Sequence, residues 1–194
     1  MTAYPRLDAV DRLTDHALFT LNVGSGGRWF SLQEVRLDLN KSTNPDVLGD
    51  ALHLPFADST FDQVVFSDVV EHLPKGTETR AMAEIARVLK SKGRLVFSTP
   101  NDRLPYTWLD PGYHFIGHRH YKRGFIEALM TETSFHVLES FTLGGIWTCI
   151  DNIFVMFSKS SRHLFQDVLE SRVVKEYSKR SDGGYTIFMT CERR

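Results

Sequence analysis

The sequence predicts an α/β fold, doubly wound about a mostly parallel sheet, on three observations. An apolar run from Ala17 to Val23, broken only at Thr20, reads as a short buried strand and stops abruptly at Gly24-Ser25-Gly26-Gly27. Further short apolar strands follow, two of them tipped by carboxylates. A helical pattern then precedes another apolar strand, so the two element types alternate. A strand ending in a glycine-rich loop is how doubly wound proteins build a nucleotide site at the carboxyl edge of the sheet. Alone, the same glycines would serve as a tight turn.

The second strand is Glu34 to Leu39, alternating polar and apolar, with Asp38 near its tip. An acid there accepts hydrogen bonds from ribose hydroxyls in a nucleotide site; without the preceding loop it would read as a solvated loop acid. Asp46 to Ala51 is a third brief extended piece carrying Asp50. Phe61 to Ser67 has the β-branched and aromatic density of a central buried strand. A helix from Thr77 to Lys90 places Ala81, Ile85, Val88 and Leu89 at helical spacing, with Gly93 suited to its stop. Arg94 to Thr99 is the next strand, closed by Pro100-Asn101.

With 42% hydrophobic and 24% charged residues, 194 residues form one domain, 1–194, with room for a proper core. A net charge of -1 offers no field for nucleic acid or an anionic membrane. Cys149 and Cys191 form no metal or redox spacing, so a reduced, cytoplasmic chain is expected. Met1 to Leu18 carries Asp8, Asp11 and Asp15 and no apolar h-region, and is not expected to be a signal peptide. No run approaches transmembrane length.

Together these residues resemble a family. Leu21-Asn22-Val23-Gly24-Ser25-Gly26-Gly27 is similar to the first motif of class I S-adenosylmethionine-dependent methyltransferases. Gly49-Asp50-Ala51 with Leu54-Pro55-Phe56 and Ser59 to Asp62 resembles the segment that closes the adenine pocket there. Ser67 to Leu73 resembles the fourth-strand motif, and Ala83 to Lys90 with Gly93-Arg94-Leu95 resembles the next helix and strand. The resemblance runs from about Ala17 to Glu139. Its nearest flavour is the small stand-alone enzymes met with surface-glycan biosynthesis, which share a very short first crossover.

The resemblance implies a Rossmann-like sheet of seven strands with an antiparallel C-terminal strand, and S-adenosylmethionine as cofactor. It places Asn22, Gly24, Ser25 and Gly26 at the cofactor loop, Asp38 and Leu39 at the ribose, Asp50 and Ala51 at the adenine. Ser67 and Asp68 would border the sulfonium. No metal is implied. Alignment of an acceptor against an already activated methyl can supply much of the acceleration, and a base is needed only where the acceptor loses a proton. The implied acceptor is a small molecule or saccharide, and a homodimer is a candidate assembly.

Two departures stand out. The family usually has an acid at Asn22 and often a glycine at Arg28. Few residues join Val23 to Val35, near the minimum for a parallel crossover, so the usual first helix must shrink to a turn around Trp29 to Leu32. That helix normally aims its N-terminal dipole at the cofactor. Its loss motivates a rival reading, a non-catalytic scaffold that keeps the fold. A nicotinamide-dependent oxidoreductase fits poorly, because GxGxxG spacing and a Tyr-Lys pair are absent.

His72, His114 and His118 are candidate general bases, while His72 also suits a packing role before Pro74. A metal reading of His114, His118 and His120 lacks a completing carboxylate or cysteine. His120-Tyr121 resembles a pair that commonly precedes the next helix, here Lys122 to Thr133, so positioning is expected of His120. Phe135 to Thr142 and Tyr185 to Cys191 read as the edge hairpin. Between them, 143–183 is a helical insertion, with stripes at Ile150, Ile153, Phe154 and Phe157 and at Leu164, Phe165, Val168 and Leu169. Core packing is the expected use of these stripes; the alternatives are first an acceptor lid, then a dimer contact or a surface that meets a lipid-linked substrate.

Overall fold

A computed structural model describes residues 5–157 and 159–194 of the chain. The strands are β1 (Thr20–Val23), β2 (Glu34–Asp38), β3 (Val47–Leu48), β4 (Phe61–Ser67), β5 (Leu89–Pro100), β6 (Phe135–Leu143) and β7 (Thr186–Arg193). The helices are α1 (Pro5–Leu13), α2 (Glu78–Val88), α3 (Tyr106–Leu109), α4 (Pro111–Phe115), α5 (Arg123–Glu132), α6 (Ile146–Phe157) and α7 (Lys159–Tyr177). The strands form one seven-stranded sheet in the order β3-β2-β1-β4-β5-β7-β6. From β3 to β5 every pairing is parallel, and β7 runs antiparallel to both β5 and β6. This is the predicted doubly wound sheet with its antiparallel C-terminal strand.

Side-chain alternation along the central strands divides the core between the two faces. Val64 and Phe66, Leu95 and Phe97, and Ile187 and Met189 share one cluster with Ala81, Met82 and Ile85 of α2 and Ile126, Leu129 and Met130 of α5. The residues between them, Val65, Val96 and Phe188, share the other with Ala9 and Val10 of α1 and Val173 and Tyr177 of α7. Each central strand is apolar on both sides because helices cover both sides.

Four elements differ from expectation. The helix α1 was not foreseen, because its stripe is only Leu7, Ala9, Val10 and Leu13 among acids and arginines. Helix α2 stops at Val88, and Gly93 lies inside β5 instead of capping the helix; the chain turns there through Lys92 at φ 62°. The third strand keeps only Val47 and Leu48, since Asp46 turns away to hold Arg36 with both oxygens. The loop after β5 folds into α3 and α4.

The crossover from β1 to β2 holds no helix, as its length requires. Glu34 organises it: its carboxylate accepts from the backbone N–H of Phe30 at 2.7 Å and of Ser31 at 2.8 Å, and from Asn22 Nδ2 at 2.9 Å. Burial raises the pKa of Glu34 and these donors oppose the shift. Phe30 tucks into the α1 and α7 cluster, while Trp29 stays outside under the guanidinium of Arg36, 4.0 Å from its ring centre.

The stripe on α6 is corrected. Ile153, Val155, Met156 and Phe157 are exposed, and the buried residues of this helix are Thr148 and Cys149. Thr148, Asp151 and Asn152 stand at i, i+3 and i+4, and this polar face meets the fold through Thr148 on Glu176 and Asn152 on Tyr185, so the apolar stripe does not mark the core face. Its first turn is pinned by Glu176 of α7, which accepts from the N–H groups of Trp147 and Thr148. On α7, Leu169 is buried whereas Phe165 and Val168 are exposed; the side chain of Leu164 lies outside the described residues. Among the described residues, no helix is long and apolar enough to cross a membrane.

Candidate active site

Two cavities open at the carboxyl ends of β1, β2 and β4. The first, 410 Å³, lies between the glycine loop and the chain after β3, against Asp38, Leu39, Asp50 and Ala51. The second, 610 Å³, runs beneath α6 and α4, against Arg6, Ser67, Glu71 and His118. Gly24, Asp68 and His72 line both, so the two spaces meet there.

The glycine loop is shaped by its neighbours. Gly24 has φ 69°, and a Cβ built on it would overlap Val69 Cγ2, so both the backbone and the space demand glycine. The N–H of Gly24 donates to Leu37 O at 2.8 Å, tying the loop to β2. The N–H of Gly26 donates to Asp38 Oδ2 at 2.8 Å, and Asn40 N–H donates to Oδ1 at 2.8 Å. Each carboxylate oxygen still has lone pairs for a ligand. Asp50 Oδ1 accepts from Leu52 N–H at 2.9 Å, which fixes its carboxylate in the same way. Ser25 is 3% exposed and its hydroxyl is buried without a partner. A buried orphan hydroxyl beside an open cavity points to an incoming polar group.

At the tip of β4, Asp68 stands at φ 54°, a conformation Asp tolerates better than most residues. Its Oδ1 accepts from Ser98 Oγ at 3.1 Å, and Ser98 Oγ lies 2.8 Å from Ser67 Oγ. Arg6 Nε is 3.0 Å from Asp68 Oδ2, an ion-pair distance, yet that buried oxygen receives no hydrogen bond. Burial, the largest single effect, disfavours the charge of Arg6, but Asp68 together with Tyr177, Tyr185 and Glu71 outweighs it and raises the guanidinium above its ordinary value. Glu71 is 2% exposed and accepts from Thr99 Oγ1 at 3.1 Å. Burial, with Asp68 nearby, pushes its carboxyl well above the usual range, which favours the neutral acid.

The histidines separate. His72 and His118 meet edge to face, with ring centres 4.4 Å apart at the second cavity. Burial lowers the pKa of both; Arg6 and Arg119 add to this at His72, and His72 and Arg6 add to it at His118. His72 remains reachable from solvent. Both imidazoles therefore hold their neutral form, able to accept a proton, below the ordinary histidine value. His114 lies apart: its Nε2 is 2.8 Å from Trp108 O, its ring packs on Tyr113 and Phe115, and it lines neither cavity. His120 is sealed against Asp110, Nε2 to Oδ2 at 2.7 Å. Burial would raise the pKa of Asp110, but His120 and the N–H of Gly112 hold it down.

Asn22 also departs from its expected place. Its amide turns into the crossover, donating to Arg28 O at 3.1 Å and to Glu34, and it lines neither cavity. The other expected cofactor residues border one cavity or both. Sequence reasoning missed Arg6, which arrives on the unforeseen α1, and Tyr185, whose hydroxyl accepts from Asn152 Nδ2 at 3.1 Å over the second cavity. Glu71 could have been noticed as a lone acid between Val69-Val70 and Leu73. Among the described residues no cluster could hold a metal ion.

Residues 30–97 match a family described as a methyltransferase domain. A demethylmenaquinone methyltransferase of Mycobacterium sp. (strain KMS) is 35% identical over 106 residues, 48% of this chain and 43% of that protein. The chain thus spans less than half the length of this curated relative. A Thermotoga maritima structure described as a SAM-dependent methyltransferase, possible histamine N-methyltransferase, aligns with TM-score 0.68 and 16% identity, covering 100% of this chain and 90% of that one. Burkholderia thailandensis 1,6-didemethyltoxoflavin-N1-methyltransferase, solved with S-adenosylhomocysteine, aligns with TM-score 0.61 and 14% identity over 98% of this chain and 79% of that one. The chain thus has the fold of these S-adenosylmethionine-dependent methyltransferases, and residues 30–97 match the methyltransferase-domain family.

Proposed function

We propose that the chain transfers a methyl group from S-adenosylmethionine to a small-molecule acceptor, with the adenosyl part of the cofactor in the first cavity, its amino-acid end at the glycine loop where the second cavity begins, and the acceptor in the rest of the second. The observation that carries this reading is the meeting of the two cavities at Gly24, Asp68 and His72. The residues fit the cofactor: a glycine no Cβ can replace, an orphan hydroxyl on Ser25, and two carboxylates with spare lone pairs. Asp38 would hold the ribose hydroxyls, and Asp50 with Ala51 the adenine. Ser25 would serve the polar amino-acid end, Gly24 and Gly26 would admit it closely, and Leu39 would flank the ring.

S-adenosylmethionine, when bound, would supply a methyl activated on a sulfonium, and its in-line displacement by an acceptor's lone pair would release the sulfur as a neutral thioether. Ser67 and Asp68 border the junction, where the Asp68 carboxylate would favour positive charge. His72, which faces both cavities, would take the acceptor's proton, with His118 as the second imidazole in reach. Helices α6 and α7, within 143–183, would cover the acceptor and exclude water.

The acceptor is read at the level of a small molecule. A saccharide follows from the glycan-type resemblance and a quinone from the name of the mycobacterial relative. Calorimetric titration with S-adenosylhomocysteine and NAD tests the cofactor, and release of labelled methyl to an acceptor panel tests transfer. Binding of S-adenosylhomocysteine but not NAD is expected. Failure to bind it at millimolar concentration would overturn the reading, whereas binding with no transfer to any acceptor would favour the scaffold alternative.

A further inference from the structure

We infer that the acceptor is amphipathic: an acidic O–H or N–H head reaches the junction of the two cavities, and an apolar tail leaves along α6. The inference rests on the methyltransferase reading of the site. The floor of the second cavity is polar, made by Arg6, Asp68, Glu71 and His118, whereas Ile116, Val155 and Met156 form an apolar wall. Beyond Met156 the exposed Phe157 follows on the same helix. Val155 and Met156 are 37% and 36% exposed, and Phe157, 59% exposed, packs edge to face on Phe115 with ring centres 5.2 Å apart. Helix α6 carries one charged residue, Asp151, and its first turn is fixed by Glu176.

An apolar strip of this kind marks a binding surface, and its continuity with the cavity wall says for what. A compact polar acceptor such as a free saccharide would be satisfied by the floor and would leave the strip wet. A hydrocarbon tail attached to a polar head would cover the wall and the Phe115–Phe157 rim while the head stays at His72. A net charge of -1 supplies no attraction for an anionic bilayer.

The test is a series of 4-alkylphenols from methyl to octyl, titrated calorimetrically below their micellar limits with the protein saturated in S-adenosylhomocysteine. Burial of each methylene should tighten binding about fourfold until the chain clears the rim. The double variant V155N/M156Q should flatten that dependence while keeping the parent's melting temperature and S-adenosylhomocysteine affinity. Affinity independent of chain length, or a dependence that survives in the double variant, would overturn the inference. A flat series with a parent dimer that V155N/M156Q dissociates would assign the strip to a second copy of the chain instead. Loss of S-adenosylhomocysteine binding in the parent would instead fail the cofactor reading, a separate result.

Discussion

Replacing Gly24 by Ala probes the loop on which both cavities depend. The new methyl would overlap Val69 Cγ2 and lie 3.2 Å from Cγ1 and 3.4 Å from Cβ, with the backbone at φ 69°. A left-handed conformation costs a non-glycine residue about 1–2 kcal/mol. Forcing a methyl into filled space costs about 1–3 kcal/mol more. A total of about 2–5 kcal/mol is a large share of a domain's stability and should lower Tm by roughly 4–20 °C in a chain of this size. Either the loop or the Val69 side chain must shift, and both line the first cavity, so S-adenosylhomocysteine affinity should fall as well. Val69→Ala removes both overlapping methyls but leaves the backbone cost. The double variant should therefore recover the steric share, a coupling of about 1–3 kcal/mol in ligand-free urea melts. Parent-like stability and affinity in Gly24→Ala, or strict additivity in the cycle, would refute the reasoning.

Asp38→Ala and Asp50→Ala should each weaken S-adenosylhomocysteine by about 1–3 kcal/mol in calorimetry, and the same affinity in both variants would misplace the pocket. His72→Asn, and to a lesser degree His118→Asn, should lower turnover by roughly 10²–10⁴ if the acceptor loses its proton to that ring. His114→Asn should leave the rate unchanged, since that ring faces neither cavity. Because both rings at the cavity titrate below the ordinary histidine value, the acid limb of kcat/KM should fall below about 6.5; a limb above it would contradict a histidine base here. Glu71, raised by burial, binds its proton more tightly folded than unfolded, so its contribution is complete at low pH and is lost as pH rises through the folded value. Glu71→Gln should therefore flatten the decline in Tm toward alkaline pH, and an unchanged decline would mean that Glu71 is ionised in the fold.

What was legible in the sequence is what local chemistry fixes. Central strands with apolar residues on both faces, such as Val64, Val65 and Phe66 within Phe61 to Ser67, suit a sheet covered on both sides. The glycines and Asp38 were legible because a strand-loop-strand-acid order needs no knowledge of distant contacts. Arg6 was not, since a short helix with a thin stripe says nothing of the β4 tip it reaches. Asn22 was misplaced because a polar residue before a glycine loop can face the ligand or the crossover, and Glu34 decides which. The stripe on α6 was misread because an apolar face gives the same spacing whether it meets core, ligand or water, and here the polar Thr148 and Asn152 are what bond to the fold.

The short crossover bears on how such a site can hold an anionic cofactor end without the usual helix dipole. A first helix would do two things: cover one sheet face and present free N–H groups to the ligand. Here the cover comes from α1 and α7 with Phe30 between them. The N–H groups of Phe30 and Ser31, which a helix start would leave unpaired, are taken by Glu34, so no backbone dipole is left there to recruit charge. Positive charge reaches the junction on a side chain instead, Arg6, carried by the same α1 that closes the core. Cover and charge are thus joined in one nine-residue helix with only Ala9 and Val10 fully buried. Undocking α1 would open the second core cluster and withdraw Arg6 together. A ligand that needs Arg6 must then stabilise the docked helix by mass action, which ties the packing of this sheet face to occupancy of the site.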